Sequence, residues 1–309
     1  MFCTVQLDAP PTQPPPNAGV GDKQYFLGLD VGPVLIRAGV FLDGMRLVGK
    51  AKFSTKMERG PQAVIDRIAK CTHYAVDECD LKLNQIRGVA VGVKGWVDET
   101  QGQVRSSFEL GWNDVALGDN LADQLALPVR VANSYRLAAL GACTHEIKPS
   151  LPASALALFL GPDIGGALIR NGTWLTDPPV GPGLEAPQEN VFRRIVAPEF
   201  SYFRSRDFRT ALRRANRPVE RFLNEVVDVA GDVAAQLITI WRPQAILIGG
   251  GAIDDIRENV VKRLRTKVEG LLQTSFGPDV PWIASALGDS ATVAGGAVWA
   301  RRSPEVLVS

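Results

Sequence analysis

One pattern occurs twice along this chain, and it fixes most of what the chain can fold into. From Tyr25 an apolar run, Y-F-L-G-L-D-V-G, leads directly into V-L-I-R-A-G-V-F-L-D-G-M-R-L-V-G. From Ala155 the chain again reads A-L-A-L-F-L-G. It continues through G-G-A-L-I-R-N-G-T-W-L, whose Asn-Gly pair signals a tight hairpin turn. Apolar, β-branched runs bounded by glycine predict strands joined by turns. Helical patterns follow each opening. In the first half they cover about 61–79, Leu117–Leu125 and a stretch from Ser134, with strands at Ile86–Val93 and Val129–Ala132 between them. In the second half a long amphipathic helix at Pro218–Trp241 precedes the buried strand A-I-L-I-G-G-G. A helix through Asp255–Gln273 and the glycine-rich A-T-V-A-G-G-A-V-W-A close the chain. Residues 187–221 read as irregular to helical. Two units that open with strand–turn–strand and close with helices predict a duplicated α/β architecture with a ligand cleft between its halves.

Length and composition agree. With 309 residues, 46% hydrophobic content and a net charge of +1, the chain has enough apolar material for two cores. Near-neutrality gives no overall nucleic-acid or membrane signal. No apolar run reaches transmembrane length, and no basic region precedes an apolar core at the N-terminus. Four cysteines (Cys3, Cys71, Cys79, Cys143) form no paired framework, which points to a reducing cytoplasm. The P-P-T-Q-P-P-P run favours extended polyproline II. The expected division is therefore a disordered proline-rich tail at 1–23, an N-terminal α/β domain at 24–133, a C-terminal α/β domain at 134–300 and a short tail at 301–309.

The polar residues at the turns carry the chemistry. L-G-W-N-D begins at Leu110, and V-R-V-A-N-S-Y-R-L-A-A-L-G follows from Val129. The second stretch resembles the active-site segment of the ROK sugar kinases and repressors, "V-E-N-D-A-N-A-A-A-L-G". The resemblance covers about Tyr25 to Arg301 and implies the two-domain actin/hexokinase-like fold. It also implies a sugar kinase, or glucokinase-like, ancestry and a homo-oligomer, commonly a dimer. In that family the aspartate of this segment is the general base, and Ser134 stands in its place. A serine hydroxyl is far too weak to accept the substrate proton, and losing a base costs roughly 10²–10⁴-fold in rate. Ser134 is expected instead to cap the following helix. Asp98 or Asp114 would be the acids to look for near it.

Both phosphate turns depart from the family in one direction. The first, "D-I-G-G-T-K" in ROK kinases, reads D-V-G-P-V-L here. Asp30 and Gly32 remain, Pro33 removes an N–H donor and Val34 removes a hydroxyl. The second, "G-T-G-I-G-G-G", reads G-P-D-I-G-G-A at Gly161–Ala167. Gly165 remains, Pro162 removes a donor and Asp163 adds a like charge where phosphate would lie. The turn at Gly249, Gly250 and Gly251 resembles the family's adenosine-side element and allows close backbone approach.

On the sugar side the resemblance assigns Gly111, Asn133 and Glu185, the last in G-L-E-A-P-Q. Phe108 and Gln188 stand at the family's asparagine and histidine. The family's "C-x-C-G-x-x-G-C" cluster is missing, so no structural zinc is expected. The tripeptide C-T-H at 71–73 and 143–145 holds both histidines, but i and i+2 diverge on a helix.

Arginines crowd Arg193 to Arg221. They make either a solvated face or a docking patch for an acidic partner.

Together these features lead to a ROK-type pseudokinase, a sugar sensor or scaffold without a confident catalytic residue or cofactor. The alternatives are an active glucokinase-like enzyme using Mg-ATP and a displaced base, and an actin-like assembly protein. Neither nucleic acid nor membrane is an expected partner.

Overall fold

The computed structural model describes residues 23–147, 154–161, 163–175, 192–195, 205–214, 216–273 and 280–302. Its first sheet has the order β3-β2-β1-β4-β8. Strands β1 (Tyr25–Val31), β2 (Leu35–Leu42) and β3 (Arg46–Ser54) form an antiparallel meander, and β4 (Ile86–Val93) and β8 (Val129–Asn133) add in parallel. The second sheet repeats that plan as β11-β10-β9-β13-β14. It is built from β9 (Ser154–Leu160), β10 (Asp163–Arg170), β11 (Thr173–Trp174), β13 (Ala245–Gly249) and β14 (Trp282–Ala284), with β12 (Phe192–Ile195) pairing with β10. The predicted Asn-Gly hairpin joins β10 to β11. Asn171 and Gly172 both have positive φ, 51° and 78°, as a type I′ turn requires.

The second sheet's parallel strands are covered by α5 (Arg217–Trp241) and α6 (Arg257–Leu272), whose apolar faces bury Leu223, Val227, Ile238 and Leu264 against Leu156 and Ile248. On the first sheet α1 (Pro61–Asp77) and α2 (Leu117–Leu125) do the same with Val64, Ile68 and Leu121. A small sheet not expected from the sequence, β5 (Trp96–Asp98), β6 (Gln103–Ser107) and β7 (Trp112–Val115), projects from the first unit. Its strands are only three to five residues long. Such short runs carry little periodicity of their own. Where the 187–221 stretch is described, α4 (Ser205–Arg213) and the start of α5 agree with the helical side of its irregular-to-helical reading, whereas β12 was not expected. Among the described residues no helix is long and apolar enough to cross a membrane.

Two helices join the halves. Helix α3 (Ser134–Glu146) leaves the first sheet but packs on β9 and β10 of the second. Helix α7 (Ala291–Ala300) leaves the second sheet but packs on β1, β2 and β4 of the first, although its residues belong to the 134–300 span. The two helices meet where Gly141 faces Gly295. A Cβ on Gly295 would stand 1.7 Å from the Leu137 carbonyl oxygen, so only glycine permits this backbone contact. The chain therefore crosses between the sheets at Asn133–Ser134 and again at about 285–291, on either side of the seam.

Candidate functional site

Between the sheets lies a cleft of about 250 Å³, lined at its floor by Asp30, Lys94, Ser134, Tyr135 and Asp163 and at its rim by Arg37, Gly251 and Asp289. Asp30 reaches it because β1 ends there. The antiparallel turn into β2 then sends Arg37 back beside it, paired across the ladder.

The helix cap expected from Ser134 is made by its neighbour. Asn133 Oδ1 accepts the Tyr135 N–H at 2.8 Å, while Asn133 Nδ2 donates to the Gly95 carbonyl at 2.8 Å. Ser134 is thereby the first helical residue, and its hydroxyl donates to Asp30 Oδ1 at 3.3 Å. The acid beside Ser134 is thus Asp30 and not Asp98 or Asp114, which both pair with Arg105. Burial raises the Asp30 carboxyl above its ordinary value, against the opposing charges of Arg37 and Lys94. Arg37 Nη1 lies 3.4 Å from Asp30 Oδ2, and its Nη2 lies 2.6 Å from Asp289 Oδ2.

A second network fills the place where Asp163 was expected to repel phosphate. Lys94 Nζ stands 3.0 Å from Asp163 Oδ1 and 3.4 Å from Glu109 Oε1. The Tyr135 hydroxyl is hydrogen-bonded within the same group. Burial alone would lower the Lys94 ammonium, but Tyr135, Asp163 and Glu109 outweigh it and hold it above its ordinary value. Gly165 makes room for this group, because a Cβ there would lie 2.3 Å from the Tyr135 ring.

The remaining predicted positions are distributed unevenly. Gly32, Gly250 and Gly251 line the cleft with Asp30 and Ser134. Gly249 ends β13, buried beneath the turn. Gly250, at φ 127°, uses a backbone region that other residues avoid, and Gly251 opens a 3₁₀ turn leading into α6. Asn133 is buried behind the lining. Gly111 is exposed with φ 64°, and Phe108 is 88% exposed. Glu185, Gln188 and Pro162 lie outside the described residues. The two C-T-H tripeptides fall on different helices, α1 and α3.

Sequence reasoning missed Arg37, Lys94, Glu109, Tyr135 and Asp289. The one local signal was a charged residue inside the otherwise apolar run of β2, where Arg37 sits.

The described cleft contains four carboxylates, Asp30, Glu109, Asp163 and Asp289, against two cations, Arg37 and Lys94. That formal excess of negative charge disfavours a polyphosphate. A magnesium ion would have to compete with the Arg37 guanidinium for Asp30. Pro33 offers no N–H and Val34, 71% exposed, offers no hydroxyl. The residues present fit Mg-ATP poorly.

Comparison with known proteins places the chain in a family. The chain is 26% identical to the glucokinase of Thermotoga maritima over 313 aligned positions, covering 89% of this chain and 96% of that enzyme. The glucokinase of Halalkalibacterium halodurans is 25% identical over 152 residues, 49% of this chain and 46% of that enzyme, so this match spans about half of each. The structure aligns with a ROK family glucokinase from Streptomyces griseus, solved in complex with glucose and AMPPNP. The TM-score is 0.72 at 20% identity, over 90% of this chain and all of that one. The expected two-domain actin/hexokinase-like fold is therefore the fold observed. The ROK family model matches residues 26–178 and 181–303, and the chain belongs to the ROK family.

Proposed function

We propose that this protein is a ROK pseudokinase, a glucokinase-like fold that has lost phosphoryl transfer and serves as a sugar or ligand sensor or as a scaffold. One observation carries the reading. At the base position a serine hydroxyl donates to Asp30, and Asp30 is itself held by Arg37. The group that should take a proton from the sugar instead gives one to the protein. The altered phosphate turns and the charge of the cleft support the same reading.

In this proposal Gly111, Asn133 and Glu185 contact the sugar. Asn133 does so only through the second proton of its amide, since the first is committed to Gly95. The exposed arginines Arg213, Arg214, Arg217 and Arg221, at the end of α4 and the start of α5, offer a docking face for an acidic protein partner. Location in the cytoplasm is carried over from the absence of a paired cysteine framework in the sequence, and homo-oligomer formation from the family resemblance.

Calorimetric titration with glucose and with Mg-ATP, separately and together, tests the reading alongside a coupled assay of sugar phosphorylation. Glucose binding without turnover is the expected result. Turnover that disappears in Asp30→Asn would overturn it.

That last outcome belongs to a second reading, which one observation favours. Asp30 lies beside the base position with a raised pKa, so it is placed to take a proton relayed by Ser134. In that reading the protein is an active glucokinase-like enzyme with a displaced base, using Mg-ATP.

A further inference from the structure

The charges in the cleft do more than replace a phosphate site. Lys94 follows β4 of the first sheet, whereas Asp163 opens β10 of the second. Their ion pair at 3.0 Å therefore spans the cleft floor, with the Asp163 side chain only 3% exposed. Tyr135, on the first turn of α3, is hydrogen-bonded into the pair, and the Lys94 ammonium stands 5.1 Å from its ring centroid.

At the rim, Arg37 of β2 reaches Asp289 on the crossover between β14 and α7 at 2.6 Å. Asp289 is braced from the other side. A Cβ on Gly251 would lie 1.9 Å from Asp289 Oδ1, so the carboxylate rests directly on the glycine turn of the second unit. Each pair thus ties the first sheet to an element anchored on the second. Each also places one of the protein's own carboxylates in the cleft, so an entering anion must displace it from its cation.

We propose that Lys94–Asp163 and Arg37–Asp289 form an autoinhibitory latch that holds the two halves together and reserves the cleft for ligands without phosphate. The latch joins the halves through pairing, and that joining does not depend on whether any turnover survives. Its failure therefore leaves the pseudokinase reading untouched, whereas sugar phosphorylation by the wild type would overturn the exclusion of phosphate and leave only the joining of the halves, which scattering and exchange test separately.

The test compares the full-length wild type with Asp163→Asn, Asp289→Asn and the double variant by small-angle X-ray scattering. Amide hydrogen exchange of the β1–β2 and Gly250–Gly251 turns is followed in parallel. Both substitutions preserve shape and remove only charge. The radius of gyration should rise in each single variant and most in the double, with faster exchange at both turns. Wild type at 1 M salt should move toward Asp289→Asn, because the rim pair is the accessible one and the screening length there is only about 3 Å. Asp289→Asn itself should respond little to salt. Inorganic pyrophosphate should bind the double variant at least tenfold more tightly than wild type.

Circular dichroism decides whether Asp163→Asn is folded. If it is not, the Asp289→Asn and salt arms stand alone. Folded variants whose scattering and exchange match wild type, or a wild type indifferent to salt together with an unchanged Asp289→Asn, would overturn the latch.

Discussion

The two ion pairs that cross the cleft are similar in chemistry and opposite in setting. Lys94–Asp163 lies at the floor with side-chain exposures of 28% and 3%, whereas Arg37–Asp289 lies at the rim with 20% and 55%. Coulomb attraction between unit charges scales inversely with the local dielectric, so the floor pair is strong and unforgiving while the rim pair is weak and screened. A buried charge that loses its partner has no water to turn to, but an exposed one does. Function in this cleft is therefore divided. The floor decides whether the protein folds with its halves together, and the rim decides how easily they part.

The largest effect should come from breaking the floor pair on one side. Lys94→Met removes the ammonium that faces the buried Asp163, and urea unfolding should show a loss of about 3–5 kcal/mol. Adding Asp163→Asn to Lys94→Met should recover much of that loss. An undiminished deficit in the double variant would mean that Lys94 works through Glu109 or Tyr135 instead. Next in size is Gly251→Ala, which breaks the rim pair without touching either charge. Its Cβ would displace the Asp289 carboxylate, at a cost of about 1–3 kcal/mol by thermal unfolding. Asp289→Asn should cost less than about 1 kcal/mol at low salt and nothing measurable at high salt.

The smallest effect concerns pH. Burial raises Asp30 above the ordinary 3.8, so the native state binds the proton more tightly than the unfolded state does. Stability should then fall as pH rises from about that value through the native pKa, because linkage favours the state that binds more protons at low pH. Asp30→Asn should flatten that part of the stability–pH profile, and a profile unchanged by the substitution would mean that Arg37 fully offsets the burial.

The fold was legible because its signals are local. β4 and α2 begin and end where periodicity placed them, and the Asn171–Gly172 turn has the backbone its two residues demand. The site was only partly legible because its partners are remote. Ser134 and Asp30 are 104 residues apart, Lys94 and Asp163 are 69, and Arg37 and Asp289 are 252. Nothing in the neighbourhood of Asp163 announces that a lysine will pair with it, so a residue read only as a charge near the phosphate turn is also half of a bridge. The Ser134 cap failed for a different reason. Asn133 is as good a capping residue as serine, and the register of β8 placed it one position earlier.

The glycine contact between α3 and α7 has a mechanical consequence. With the backbones touching at Gly141 and Gly295, the helices cannot approach further, and the flanking side chains resist their separation. Any relative motion of the two halves that kept this contact would be a turn about that point, as a pair of shears turns on its rivet. Both chain crossovers adjoin the two helices that meet there, whereas the rim pair of the latch, Arg37–Asp289, lies at the mouth that such a turn would open. A displacement too small to disturb the rivet becomes a larger one at the blades, which is how one weak pair at the rim can govern access to the whole cleft.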